Sequence, residues 1–236
     1  MRIPRVLLDA QLAVGQELSL TRDTAHHLRR VLRLKDGHPV QVFDGRGHEH
    51  EGELLGEDRV LIGESIEREV ESPLALTLVQ GISRGNRMDY SLQKAVELGV
   101  SAIHPIFCER SVVRLDEKRL AKRMAHWQGV IVSACEQCGR NRLPELGTPS
   151  TLMDSPPNPD GLGLFLDPNG SETLSSLERH DSMTLVVGPE GGLSDLELTV
   201  LREAGYRGIR MGPRILRTET AGVAALAALQ ALHGDF

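Results

Sequence analysis

The sequence predicts an α/β protein in two parts, a small N-terminal β-barrel-like module followed by a domain with a mostly parallel sheet. Three observations carry that expectation. Short strand patterns crowd around a single amphipathic helix before residue 72, strands and helices alternate after it, and two glycine- and proline-bearing loops follow apolar strands in the second part. At 236 residues, 40% hydrophobic and 25% charged, the chain is long enough for one large core or two modest ones without covalent staples.

In the first part, residues 21–34 place Ala25, Leu28 and Leu32 on one helical face, while Arg22, Arg29, Arg30 and Arg33 lie largely off it. The pattern predicts an amphipathic helix with a basic flank. Strands are expected over 39–43, 48–55 and 59–66, with Asp44-Gly45-Arg46-Gly47 as a hairpin turn. The acidic stretch 64–71, ended by Ser72-Pro73, marks a boundary, so domains are expected at 1–72 and 73–236.

In the second part, a strand is expected over 74–80, then a helix over 87–98 from the spacing of Met88, Leu92 and Val96, with Gly99 as its stop signal. A strand at 100–107 follows. A long helix from about residue 116 carries Leu120, Met124, Trp127, Ile131, Ala134 and Cys138 on one face and closes at Gly139. The proline-rich stretch 144–161 reads as a loop. Beyond it the alternation is regular: strand 162–166, helix 171–179, strand 183–187, helix 196–204, strand 208–211 and helix 220–232. Over 221–232 the last helix has Gln230 as its only polar member and should be buried.

Charge and cysteine content narrow the function classes. A net charge of −6 argues against generic nucleic-acid affinity, yet the charge is segregated. Residues 22–35 hold five Arg or Lys against one acid, 84–142 hold eleven against six, and 36–71 hold eleven acids against three arginines. Three cysteines, Cys108, Cys135 and Cys138, do not make a disulfide framework and point to a reducing compartment, the cytoplasm. Neither a secretory signal nor a membrane span is expected. Cys135 and Cys138 have redox spacing but lie near the end of a helix, where the dipole disfavours thiolate, and His48 and His50 have no second ligand pair nearby, so no metal site is expected.

In open α/β sheets ligands bind outside the carboxyl ends of strands, which directs attention to the two loops. Gly188-Pro189-Glu190-Gly191-Gly192-Leu193 follows an apolar strand, and Ser194 with Glu197 forms a capping box for the next helix. The glycines fit a ligand cradle or simply a tight turn. The loop is neither a P-loop nor a dinucleotide fingerprint. The second loop, Met211-Gly212-Pro213-Arg214-Ile215-Leu216-Arg217-Thr218-Glu219-Thr220, places two apolar residues in a polar turn just before the buried helix, where a ligand pocket is expected.

Together these loops resemble the cofactor site of the SPOUT class of S-adenosylmethionine-dependent RNA methyltransferases, and the whole chain is similar to the ribosomal RNA small subunit methyltransferase E family. The supporting segments are His26-His27-Leu28-Arg29-Arg30-Val31-Leu32-Arg33-Leu34, Val42-Phe43-Asp44-Gly45-Arg46-Gly47, Arg87-Met88-Asp89-Tyr90-Ser91-Leu92-Gln93-Lys94-Ala95-Val96-Glu97-Leu98-Gly99, Glu109-Arg110-Ser111-Val112-Val113 and Glu136-Gln137-Cys138-Gly139-Arg140. Tyr90 stands where the family often has tryptophan, and Cys138 where it often has serine.

The resemblance implies a PUA-like barrel, an α/β domain with a deep trefoil knot, a homodimer, and methylation of a uridine N3 in 16S ribosomal RNA, with ribosomal RNA or the small subunit as partner. It implies that S-adenosylmethionine is held by Leu166, Gly188, Pro189, Glu190, Gly191, Gly192, Met211, Gly212, Ile215, Leu216, Arg217, Thr218, Thr220 and Ala221. Because N3 is weakly nucleophilic while protonated, Glu190 and Glu219 are candidates to accept the proton and Arg217 to stabilise the developing charge. Arg22, Arg29, Arg30, Arg33, Arg84, Arg87, Lys94, Arg110 and Arg140 are candidates for phosphate contact. With 3% aromatic residues, extensive base stacking is not expected. The rival readings are an inactive RNA-binding assembly factor of the same fold, which intact cofactor loops argue against, a SPOUT methyltransferase acting on another RNA nucleotide, and another nucleotide-utilising enzyme, which the missing phosphate motifs argue against.

Overall fold

The computed structural model describes residues 3–111, 116–153 and 161–236. The reading of 154–160 as loop and the Val112-Val113 end of one supporting segment lie outside the described residues. The chain divides into two compact units, Met1–Glu71 with Val132–Leu143, and Ser72–Ile131 with Pro144–Phe236. The expected boundary at 72 is thus corrected in one respect: 132–143 groups with the first unit.

The first unit is a five-stranded sheet in the order β1-β3-β4-β5-β2, from β1 (Arg5–Leu7), β2 (Glu17–Ser19), β3 (Pro39–Phe43), β4 (Glu49–Leu55) and β5 (Arg59–Ser65). All neighbours are antiparallel except β1 and β3. Alternating residues bury Val40, Val42, Leu54, Val60 and Ile62 on one face, where Leu28 and Leu20 close the core. The helix expected over 21–34 is shorter and changes character. α1 spans Arg22–His26, a π-helical turn follows at His27–Val31, and Arg33 adopts φ +57°. The wider turn lets Leu28 reach full burial while the Leu34 N–H donates to its carbonyl.

Residues 132–143 are fastened to this sheet by charge. Arg5, 6% exposed, donates from Nε to Glu49 Oε1 at 3.0 Å, from Nη1 to the Cys135 carbonyl at 2.6 Å and from Nη2 to the Arg140 carbonyl at 3.2 Å. Its guanidinium also stacks 4.7 Å from the Phe43 ring centre. Arg140 is buried, and its fork grips the Glu71 carboxylate. Burial pushes the Cys135 thiol up to about 12, so it stays protonated at neutral pH.

The second unit holds an all-parallel sheet. β6 (Ala75–Gly81), β7 (Ala102–Phe107), β8 (Glu145–Leu146), β9 (Ser150–Thr151), β10 (Leu162–Leu166), β11 (Ser182–Val187) and β12 (Arg207–Ile209) form the order β12-β10-β11-β6-β7-β8, with β9 also on β7. The short β8 and β9 occupy a stretch read from sequence as loop; two-residue strands carry too little periodicity to detect. α2 (Asn86–Glu97), α4 (Asp195–Glu203), α5 (Thr218–His233) and the part of α3 (Glu117–Cys138) up to Ile131 complete the unit. The helix expected over 171–179 is replaced by a single 3₁₀ turn, Leu174–Ser176. There the Ser176 hydroxyl donates to the Thr173 carbonyl and the Thr173 and Ser175 hydroxyls pair, local bonds that compete with a helix.

From edge strand β12 the chain returns to the middle of the sheet, where α5 packs on α2 and β11. The return is tied by a buried hydrogen-bond relay: Gln80 Nε2 donates to Thr218 Oγ1 at 3.2 Å, and Thr218 Oγ1 donates to the Gly188 carbonyl at 2.6 Å. Gly81 permits the approach, because a Cβ there would lie 2.5 Å from Pro189 N. By contrast, a Cβ at Gly222 would meet its nearest atoms at 3.6 Å, ordinary contact. Gly222→Ala, in the body of α5, is therefore expected to stabilise the fold by about 0.5–1 kcal/mol through helix propensity, read as a raised urea midpoint at constant slope.

Candidate active site

A cavity of about 630 Å³ opens at the carboxyl ends of β10 and β11. Three stretches wall it: 166–169 after β10, 187–193 after β11, and 215–219 with Ala221 at the start of α5. Most residues expected at a cofactor site meet here: Leu166, Gly188, Pro189, Glu190, Gly191, Gly192, Ile215, Leu216, Arg217, Thr218 and Ala221. Glu219 stands beside them. Met211, Gly212 and Thr220 are not among the lining residues.

Asp167, Pro168 and Asn169 also line the cavity and were missed, since the sequence reading stopped at Leu166. The signal was present as Asp-Pro-Asn-Gly directly after a strand. Asp167 organises this turn by accepting from the Asn169 N–H at 2.9 Å and from Arg202 at 3.0 Å.

The loop after β11 is braced from behind. The expected capping box is present, with Ser194 Oγ accepting from the Glu197 N–H at 3.3 Å and Glu197 Oε2 accepting from the Ser194 N–H at 2.7 Å. Fully buried Glu197 does more than cap: its Oε1 accepts the Glu109 N–H at 2.8 Å. Arg110 then donates to the Leu193 carbonyl at 3.0 Å, and a Cβ on Gly191 would lie 2.8 Å from the Arg110 carbonyl oxygen. Glycine is required at 191 for that contact.

Arg87 joins the two loops at the cavity wall. Its Nη1 donates to Glu190 Oε1 at 2.9 Å, and its Nε stands 3.7 Å from Glu219 Oε1. Glu190 Oε1 also accepts the Arg84 N–H at 3.0 Å. Burial works against the Glu190 charge, but these hydrogen bonds and the Arg87 guanidinium outweigh it and hold the carboxyl below its ordinary value. Arg217 is exposed at the N-cap of α5, where its side chain makes no cap hydrogen bond.

The arginines expected to meet phosphate separate into groups. Arg22, Arg30, Arg33 and Arg84 are exposed. Arg87 and Arg110 line the cavity. Lys94 pairs with Glu97 at 2.8 Å. Arg29, its side chain 14% exposed, donates to the Leu34 carbonyl, Asp36 and the Gly56 carbonyl, so it holds the π-helical turn. Arg140 is 5% exposed and committed to Glu71. The expectation of phosphate contact is corrected for Arg29 and Arg140, because the Nη groups of Arg29 are engaged inside the fold and its Nε is buried, and because the buried Arg140 fork is held by Glu71.

Comparison with known proteins identifies the family. A family profile described as RNA methyltransferase domain matches residues 70–230, and one described as RNA methyltransferase PUA domain matches residues 20–63. The ribosomal RNA small subunit methyltransferase E of Buchnera aphidicola (subsp. Schizaphis graminum) is 34% identical, over 99% of this chain and 98% of its own. The chain belongs to the ribosomal RNA small subunit methyltransferase E family. The Neisseria gonorrhoeae member of that name, solved bound to S-adenosyl methionine, is 41% identical with a TM-score of 0.93 over the whole of both chains. A Legionella pneumophila protein, solved in complex with the same cofactor, is 37% identical with a TM-score of 0.95, again over both whole chains. The family's two-part plan, a PUA domain followed by an RNA methyltransferase domain, accounts for the two sheets.

Proposed function

We propose that the cavity binds S-adenosylmethionine and that the chain transfers its methyl group to N3 of a uridine in 16S ribosomal RNA. The observation that carries this reading is the convergence of 166–169, 187–193 and 215–219 with Ala221 on one cavity of about 630 Å³, inside the range of roughly 300–1,000 Å³ typical of small-molecule sites. The residues suit the cofactor. Ile215, 80% exposed, and Leu216 offer apolar surface for a base, and the 188–192 backbone offers donors and acceptors. Four acids, Asp167, Glu190, Asp195 and Glu219, against three arginines, Arg87, Arg110 and Arg217, suit a cation.

When bound, the cofactor supplies a methyl group already activated on a sulfonium. The chain then has to orient the acceptor and manage the N3 proton. The Gln80–Thr218–Gly188 relay holds the two loops in register. Arg217 is placed to stabilise negative charge on the uridine carbonyl oxygens as N3 deprotonates. Glu190, engaged by Arg84 and Arg87 and held in its charged form, is better suited to positioning Arg87 than to accepting a proton.

Arg22, Arg30, Arg33 and Arg84, all exposed, are the proposed phosphate contacts. A homodimer is supported by the exposed apolar side chains Tyr90, Leu196 and Leu232 of the second unit. Among the described residues no helix is long and apolar enough to cross a membrane, and a ribosomal substrate places the proposed work in the cytoplasm.

The test is incubation with methyl-labelled S-adenosylmethionine and either small ribosomal subunits or free 16S RNA, followed by nucleoside mass spectrometry. Labelled 3-methyluridine is the expected product. Cofactor binding without transfer to either substrate would favour an inactive assembly factor, and no binding at all would sink the reading.

A further inference from the structure

Two acidic side chains approach Arg87 at the cavity wall, and their environments are unequal. Glu190 accepts two hydrogen bonds on Oε1. Glu219 has only the 3.7 Å approach of Arg87 Nε to its Oε1, and its Oε2 is buried with no hydrogen-bond partner among the described residues. It stands in the first turn of α5. A carboxylate oxygen shielded from water and from donors keeps a poorly compensated charge, and its field reaches further in a low-dielectric surrounding than it would in water. Being sealed, Oε2 is not placed to accept a ligand proton without moving. Its influence on a ligand in the cavity is through space.

We propose that Glu219 determines ligand specificity through its field, favouring the positively charged sulfonium donor over the uncharged thioether product left after transfer. The proposal rests on the cofactor reading above. In the transfer the carbon–sulfur bond breaks with its electron pair remaining on sulfur, a bond forms from N3 to the methyl carbon, and the N3 proton passes to solvent. The two cofactor forms therefore differ by one methyl group and one positive charge, while their adenosine and amino-acid parts are the same. Contacts to those shared parts bind both forms equally and cannot release product in favour of fresh donor. A nearby uncompensated carboxylate can. Arg87 offsets part of that field, which makes it the tuning partner of Glu219.

Calorimetric titration of the whole protein with S-adenosylmethionine and with S-adenosylhomocysteine tests the idea without catalysis. Glu219→Gln is close in shape and removes the charge. It is expected to weaken the sulfonium ligand about five- to tenfold and to leave the thioether ligand within about twofold. Arg87→Gln is expected to move the affinity ratio the opposite way, toward the sulfonium form. Equal losses for both ligands in Glu219→Gln, or no change in either, would overturn the proposal. If Glu219→Gln fails to fold, the Arg87→Gln ratio decides alone, and an unchanged or lowered preference for the sulfonium form overturns it. A wild-type protein that binds neither ligand refutes the cofactor reading instead.

Discussion

Arg5→Met is expected to destabilise the first unit by about 3–5 kcal/mol, the range for breaking one side of a buried ion pair. The side chains of Arg5 and Glu49 are 2% and 0% exposed. Methionine fills much of the same volume but donates nothing, so Glu49 loses its closest cation and, among the described residues, keeps Arg68 at 3.4 Å. The carbonyls of Cys135 and Arg140 lose their Arg5 donors as well. Those two contacts join 132–143 to β1, so native-state hydrogen exchange should show this segment opening first. Urea unfolding gives the magnitude. The double change Arg5→Met with Glu49→Leu should recover most of the loss, because the uncompensated buried charge is gone. A single-variant cost under about 1 kcal/mol would show that the pair contributes little to stability.

Arg217→Ala is expected to keep the fold and lose about 10²–10³-fold in kcat, the scale for removing one group that stabilises developing charge. The fold should survive because Arg217 is exposed and caps α5 without a side-chain hydrogen bond. It also lies outside the ties that hold the cavity walls, the Gln80–Thr218–Gly188 relay and the Arg87–Glu190 pair. Cofactor affinity should change far less than turnover, which separates a role in the reaction from one in binding. Wild-type turnover in this variant would remove Arg217 from the mechanism, and a matched loss in cofactor affinity would reassign it to binding. Arg217→Lys should recover only part of the rate, since an ammonium cannot reproduce a planar fork across two acceptors.

The loops of the candidate site were legible in the sequence because local chemistry writes them. Gly188-Pro189-Glu190-Gly191-Gly192 follows a strand, and the Ser194–Glu197 capping box sits where the spacing puts it. What Glu197 does with its other oxygen was not legible, since Glu109 is 88 residues away in sequence. The same limit explains Arg87 and Arg110. Among basic residues in a basic stretch they read as phosphate contacts, yet they stand at the cavity wall. Arg29 and Arg140 read the same way and hold the interior of the first unit. A guanidinium's sequence neighbours say nothing about which carbonyl or carboxylate its fork will meet.

By itself the sequence determined the α/β class, the long strands and helices, the change of pattern near residue 72 and the two loops that bear the site. Each depends on interactions within a few residues, such as hydrophobic period, capping and turn chemistry. The tertiary structure alone decided that 132–143 packs with the first unit, that 171–179 is not a helix, and that Arg87 faces both Glu190 and Glu219. The first and third depend on partners far apart in the chain, Arg5 with the Cys135 and Arg140 carbonyls and Arg87 with Glu190 and Glu219, whereas the 3₁₀ turn follows from side-chain hydrogen bonds at 173–176 that hydrophobic period does not report.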